Sequence, residues 1–110
     1  MSIRSEVGVA LKSSIVERMT TEQISRWFGD ADDHMLSDEG QLWAWHRIKW
    51  YRGDAAIAEL YEFLESVEHD DYLVVVATPE YPDSEEGCVG GWDENSWNLH
   101  RYVSCGVTYS

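Results

Sequence analysis

Between residues 54 and 100 the sequence contains neither lysine nor arginine. Thirteen carboxylates fall in the same 47 residues, and the eight acids outside that stretch are equalled in number by the eight basic residues. The whole net charge of −13 therefore belongs to the second half of the chain. Such an imbalance repels nucleic acid and anionic membranes through its long-range field and attracts basic proteins, so it constrains partners far more than fold. Direct nucleic-acid binding and membrane binding are disfavoured on this ground.

Long apolar runs are also missing. None approaches the ~20 residues needed to cross a bilayer, and the N-terminal residues carry charge where a secretion signal would be apolar. A cytoplasmic protein is the expectation. Cysteine is scarce, and Cys88 and Cys105 have a spacing that suits neither metal nor redox chemistry, so both are read as free thiols. No nucleophile elbow, phosphate-binding loop, dinucleotide fingerprint or zinc-type histidine pair occurs. Neither an enzyme nor a cofactor is expected. The acids of residues 30–40 resemble a calcium loop in composition only: starting from Asp30, Met35 stands where the invariant glycine belongs and Gln41 where the bidentate glutamate belongs. That stretch reads as a solvated acidic loop with a helical turn around His34 to Leu36, and no metal is expected.

What is present is a core. Apolar residues make up 44% and aromatics 13%, including six Trp and six Tyr, which is far too rich for a disordered acidic tail. At 110 residues the chain suits one domain. Val7 to Leu11 reads as a first strand and residues 14–19 as a short helix, the alternative being one helix capped by Ser5 and running to Met19. Thr20 or Thr21 then caps a second helix whose Ile24, Trp27 and Phe28 share a face, ended by Gly29. Residues 42–51 form the most β-like run. Alternation sends Leu42, Ala44, His46, Ile48 and Trp50 to one side, expected to face the core, and Trp43, Trp45, Arg47, Lys49 and Tyr51 to the other. The second set either packs beneath a helix or forms an aromatic, cationic face for a partner.

Asp54 caps the clearest helix. Ile57, Leu60, Tyr61, Phe63, Leu64 and Val67 recur at three- and four-residue steps, while Glu59, Glu62 and Glu65 fall on the opposite arc, with Glu68 at its margin. Residues 72–77 are almost continuously apolar, as in a strand covered on both faces. Residues 82–98 form a long loop carrying Asp83, Glu85, Glu86, Asp93 and Glu94 together with Trp92 and Trp97, and loops of that length are often functional. Residues 99–109 alternate as a last strand. The order β-α-β-α-β-β predicts an α+β fold: a mostly antiparallel sheet of about four strands with two or three helices on one face. If the helix after Asp54 joins its flanking strands in parallel, a right-handed crossover is expected.

Two readings of the acid follow. In the first, Glu59, Glu62 and Glu65 on a rigid helix, with Asp83, Glu85, Glu86, Asp93 and Glu94 beside them, take the place of phosphates in the basic groove of a nucleic-acid-binding protein, and Trp92 and Trp97 serve as apolar anchors. In the second, the charge serves solubility, and aromatic strand faces or an edge strand bind a protein partner or a second copy. In size, acidity and aromatic content, and in the stretches Ile48-Lys49-Trp50-Tyr51 and Trp92-Asp93-Glu94-Asn95, the chain resembles small accessory proteins of tailed bacteriophages, among them DNA-mimicking anti-restriction and anti-CRISPR inhibitors. The resemblance implies a phage product acting in the host cytoplasm on a basic host protein. It assigns no individual residue a role.

Overall fold

A computed structural model of the chain describes residues 4–51, 53–78, 88–97, 99–101 and 107–108. Strand β1 (Ser5–Lys12) leads through the short helix α1 (Ser13–Val16) into α2 (Thr21–Phe28), and a hairpin of β2 (Asp33–Leu36) and β3 (Gly40–Ile48) follows. Helix α3 (Ala55–Leu64) and a 3-10 turn (His69–Asp71) precede β4 (Tyr72–Ala77), and three short strands complete the chain: β5 (Val89–Gly90), β6 (His100–Arg101) and β7 (Val107–Thr108). The first five strands make one wholly antiparallel sheet in the order β2-β3-β1-β4-β5, while β6 and β7 pair with each other. The α+β class and the antiparallel sheet are as expected.

Strand β1 is central because it has no polar face to expose. Val7, Val9 and Leu11 point to one side, and Ala10 to the other, and all four are buried. Val9 pairs with Trp43 of β3 on one flank and with Val74 of β4 on the other. Both neighbours run antiparallel to β1, so β3 and β4 run parallel to each other, as a helix crossover requires.

All three helices pack on the side of Val9. Their Ile15, Trp27, Phe28, Ile57, Leu60 and Leu64 join Trp43, Trp45, Val74 and Val76 in the larger core. The ring of Phe28 stacks on that of Trp43 at 4.1 Å. Helix α2 starts where the sequence places it: the Thr20 hydroxyl accepts from the Gln23 amide, and the Gln23 side chain accepts from the Thr20 amide, a reciprocal capping box. Asp54 caps α3 by accepting from Ala56 and Ile57.

Four expectations are corrected. Residues 33–36 are a strand and not a helical turn, because the strongly β-forming β3 supplies them a partner, with His34 opposite Trp43 and the rings stacked 4.9 Å apart. The strand alternation of residues 42–51 breaks at a bulge. From Ser5↔Ile48 to Val7↔Trp45 the register advances two residues on β1 and three on β3, and Arg47 takes a φ of 61° to absorb the extra one. Ile48 and Trp50 thereby join Trp43 and Trp45 on the helix side, whereas Leu42 faces the smaller core. The long loop is also not structureless, since Val89 and Gly90 extend the sheet beside β4. Finally, residues 99–109 are not a single strand: His100 pairs with Thr108 and Arg101 with Val107 in an antiparallel ladder.

The second face of the sheet carries the smaller core of Ala10, Leu42, Val75, Trp92, Trp97 and Leu99. Asn95 is the polar pin of this layer. Buried at 7% exposure, its amide donates to the Trp92 carbonyl at 2.9 Å and its oxygen accepts from the Leu99 amide at 2.7 Å. Removing one partner strands the other in a dry site. Asn95→Ala is expected to cost about 1–3 kcal/mol of stability, read as a lower urea midpoint at unchanged m-value. A loss below ~0.5 kcal/mol would show that the pin is dispensable.

Candidate functional site

The acid of α3 divides into two parts that its sequence periodicity does not distinguish. Near the start of the helix, Glu59 lies against α2, where the Arg26 guanidinium donates to it through Nε at 2.8 Å and Nη2 at 2.9 Å. The Trp27 indole N–H adds a longer contact at 3.5 Å, and Trp27 packs on Phe63 with ring centroids 5.5 Å apart. The Arg26 hydrogen bonds hold the Glu59 carboxyl below its usual range, and the same contact raises the Arg26 guanidinium. Glu59 is thus a tie between helices. It is not part of a free anionic row.

Further along, the acids have no such partner. Among the described residues, no Lys or Arg comes within salt-bridge reach of Glu62, Glu65, Glu68, Asp93 or Glu94. Glu62, Glu65 and Glu68 are exposed on α3 and the turn after it, followed by exposed Asp70 and half-buried Asp71. The 91–94 segment is pressed onto this end of the molecule. The Gly91 amide donates to the His69 carbonyl at 2.8 Å and the Trp92 amide to the Tyr72 carbonyl at 3.0 Å, which leaves Asp93 and Glu94 exposed beside the 3-10 turn.

Two glycines permit that approach. A Cβ on Gly91 would lie 2.7 Å from the His69 ring and 2.9 Å from an Asp70 oxygen. Gly90 has a φ of +93°, and a Cβ there would come within 2.3 Å of the Tyr72 carbonyl. The glycine-rich stretch therefore serves close contact between two acidic segments. Tyr72 lies beneath them, its hydroxyl pKa raised by burial first and by the Glu65 charge second.

The tip formed this way is anionic against the local electrostatics. The C-terminal end of a helix carries a partial negative charge and favours cations, by about 0.3–1 kcal/mol per charge at low salt. Helix α3 has no basic residue in its last turn and is followed by Glu65, Glu68, Asp70 and Asp71. Among the described residues, Lys12 pairs with Asp71 at 3.2 Å and lies 5.7 Å from the centroid of the Trp92 ring.

The residues expected to bind a partner therefore separate. Glu62, Glu65, Asp93 and Glu94 are exposed, and Glu59 is exposed but paired. Trp92 and Trp97 are corrected: at 4% and 5% exposure they are buried in the smaller core, edge to face with centroids 5.9 Å apart, because that sheet face has no helix to cover it. They support the tip from below and cannot be surface anchors. Asp83, Glu85 and Glu86 lie outside the described residues, as does Cys105. Sequence reasoning missed Glu68, Asp70 and Asp71 as members of the tip and Arg26 as the partner of Glu59. The Asp70-Asp71 pair at the end of an otherwise acidic helix was the available signal for the former, and nothing local pointed to the latter.

The acids of residues 30–33 also have specific duties. Asp30 accepts the Trp45 indole N–H at 3.1 Å, Asp32 the His46 amide at 2.7 Å, and Asp33 contacts the His46 ring at 2.8 Å. They fasten the loop to β3.

Fold and surface together define an acidic α+β protein with exposed carboxylates, without Lys or Arg partners among the described residues, along and after its main helix. No protein-family model matches the chain, and no curated protein or solved structure does either.

The pairing of Glu59 can be checked by carboxyl NMR titration. Arg26→Gln should raise the Glu59 midpoint back toward the ordinary glutamate range, because the hydrogen bonds and charge that favour its anion are lost. The Arg26 tie adds stability above the unfolded glutamate pKa that fades as pH falls through the lowered folded value, so the variant should lose most near neutral pH and least in acid. An unchanged Glu59 midpoint would refute the tie.

Proposed function

We propose that the chain is a non-enzymatic inhibitor of the phage-encoded, host-directed kind, which docks its acidic tip on the basic surface of a nucleic-acid-binding host protein. The observation that carries this reading is the run of exposed Glu62, Glu65, Glu68 and Asp70 along and after α3, with exposed Asp93 and Glu94 on the segment hydrogen-bonded to His69 and Tyr72, all without Lys or Arg partners among the described residues. Such a layout repels itself, and a cationic partner would relieve both the mutual repulsion and the unfavourable helix dipole at once.

Duplex mimicry is the finer form of the proposal. A duplex carries one charge per about 1.7 Å of axis, whereas glutamates three residues apart on a helix rise about 4.5 Å per step. One helix row is thus too sparse, and Glu59 is already taken. Mimicry would need the helix end, the 3-10 turn and the 93–94 turn to act together.

Less supports the competing reading, docking through aromatic strand faces. Trp43 and Trp45 are each 2% exposed, and among the described residues the large apolar side chains left open are Leu36 and Tyr51.

Immobilised protein should retain a nucleic-acid-binding component of bacterial lysate that is released by competing duplex and by salt near 0.5 M, where the Debye length is about 4 Å. Glu65→Lys with Glu68→Lys should weaken retention by about tenfold or more, and Asp93→Lys with Glu94→Lys should do likewise. Glu59→Gln should have little effect on it. Retention that survives the salt and both reversals would overturn the proposal.

A further inference from the structure

We propose that the cleft where α2, the end of β3 and the start of α3 meet binds a small organic anion, a single flat apolar ring bearing a carboxylate or phosphate. The cleft encloses about 270 Å³ and is lined by Arg4, Trp27, Trp45, Lys49, Trp50 and Ile57, with Arg26, Asp30 and Asp54 also on its walls. That volume lies just under the roughly 300–1,000 Å³ of drug-sized sites, which limits the occupant to about one ring.

The walls carry three cations against two carboxylates. Each indole N–H already has an acceptor: Trp45 donates to Asp30, Trp50 to the Tyr61 hydroxyl at 2.9 Å, and Trp27 makes its longer contact with Glu59. The three rings therefore have hydrocarbon to offer and no polar hydrogen. Both acids are engaged as well, Asp30 by Trp45 and Asp54 by the first amides of α3. Of the three cations, Arg26 is held by Glu59. Lys49 is exposed and has no carboxylate within salt-bridge reach among the described residues, and Arg4 makes a single long contact, 3.5 Å, to the Arg47 carbonyl. What remains unsatisfied is cationic hydrogen-bond donation beside an apolar wall, the complement of an aromatic acid.

Two further observations support the assignment. The bulge at Arg47, with its positive φ, turns Ile48 and Trp50 toward this side, where uninterrupted alternation would have turned them away. A non-glycine residue rarely adopts that region, and such strain gathers at functional sites. The overall charge of −13 does not close the cleft to anions. The acidic tip lies at the other end of α3, and the eleven residue steps from Asp54 to Glu65 rise about 17 Å, roughly twice the ~8 Å Debye length at physiological salt.

The test is titration of the intact protein with benzoate, phenyl phosphate, benzyl alcohol and inorganic phosphate, followed through the indole N–H signals. Benzoate or phenyl phosphate, whichever carries the preferred acidic group, should shift Trp27, Trp45 and Trp50 saturably while leaving Trp92 and Trp97 in place. Benzyl alcohol and inorganic phosphate should each bind about tenfold more weakly, since each lacks one half of the recognition. Lys49→Gln and Arg4→Gln, both exposed, should weaken binding of the ring-bearing anion by about tenfold with an unchanged thermal midpoint. Equal binding of benzyl alcohol, indifference to both substitutions, or no saturable shift with either aromatic anion would overturn the proposal. None of these outcomes depends on the acidic tip.

Discussion

The burial of one helix stripe against the sheet is the interaction on which the rest depends. Ile57, Leu60, Tyr61 and Leu64 are all below a tenth exposed, and each such side chain contributes about 1.5–3 kcal/mol when removed from water. The opposing electrostatic terms at the end of α3 are about 0.3–1 kcal/mol per charge at low salt. Apolar burial therefore wins, and it lets the helix carry carboxylates that its own dipole disfavours. Without that anchoring the acidic tip would have no fixed shape.

The same burial explains why charge and support come from different layers. Helices cover one face of the sheet, and the segment around Trp92, Trp97 and Leu99 covers the other, pinned by Asn95. That second cover delivers Asp93 and Glu94 to the end of α3, because the backbone on either side of them is tied to Tyr72 and His69 on one side and to Leu99 on the other. The two indoles thus act through position and not through contact. The opposite end of α3 has the reverse character, with Arg4, Arg26 and Lys49 beside three indoles. The macrodipole favours anions at the start of a helix and cations at its finish, so the Asp54 cap suits the first end of α3 and the carboxylates after its last turn do not suit the second.

Much of the framework was legible from local patterns. The capping box at Thr20, the cap at Asp54, the stripe of α3 and the doubly covered β4 are all short-range signals, and each stands where periodicity puts it. Strand β2 was not legible, because Asp33-His34-Met35-Leu36 has weak β-propensity and becomes a strand by pairing with β3. The faces of β3 were misassigned beyond residue 45, since one inserted residue reverses the parity of everything after it. Trp92 and Trp97 looked like surface anchors because charged neighbours surround them in sequence, yet apolar area of that size is buried wherever a sheet face stands uncovered.

The amino-acid sequence by itself determined the sign of the surface, the helix that carries it and the class of fold, since charge, periodicity and capping depend on residues a few positions apart. Only the tertiary structure decided which carboxylates remain without a cation. The pairing of Arg26 with Glu59 and of Lys12 with Asp71 joins residues far apart in the chain. It also decided that the bulge at Arg47 would collect three indoles and unpaired cations in one cleft. Contacts between distant segments are set by how the layers dock, and no local pattern encodes them.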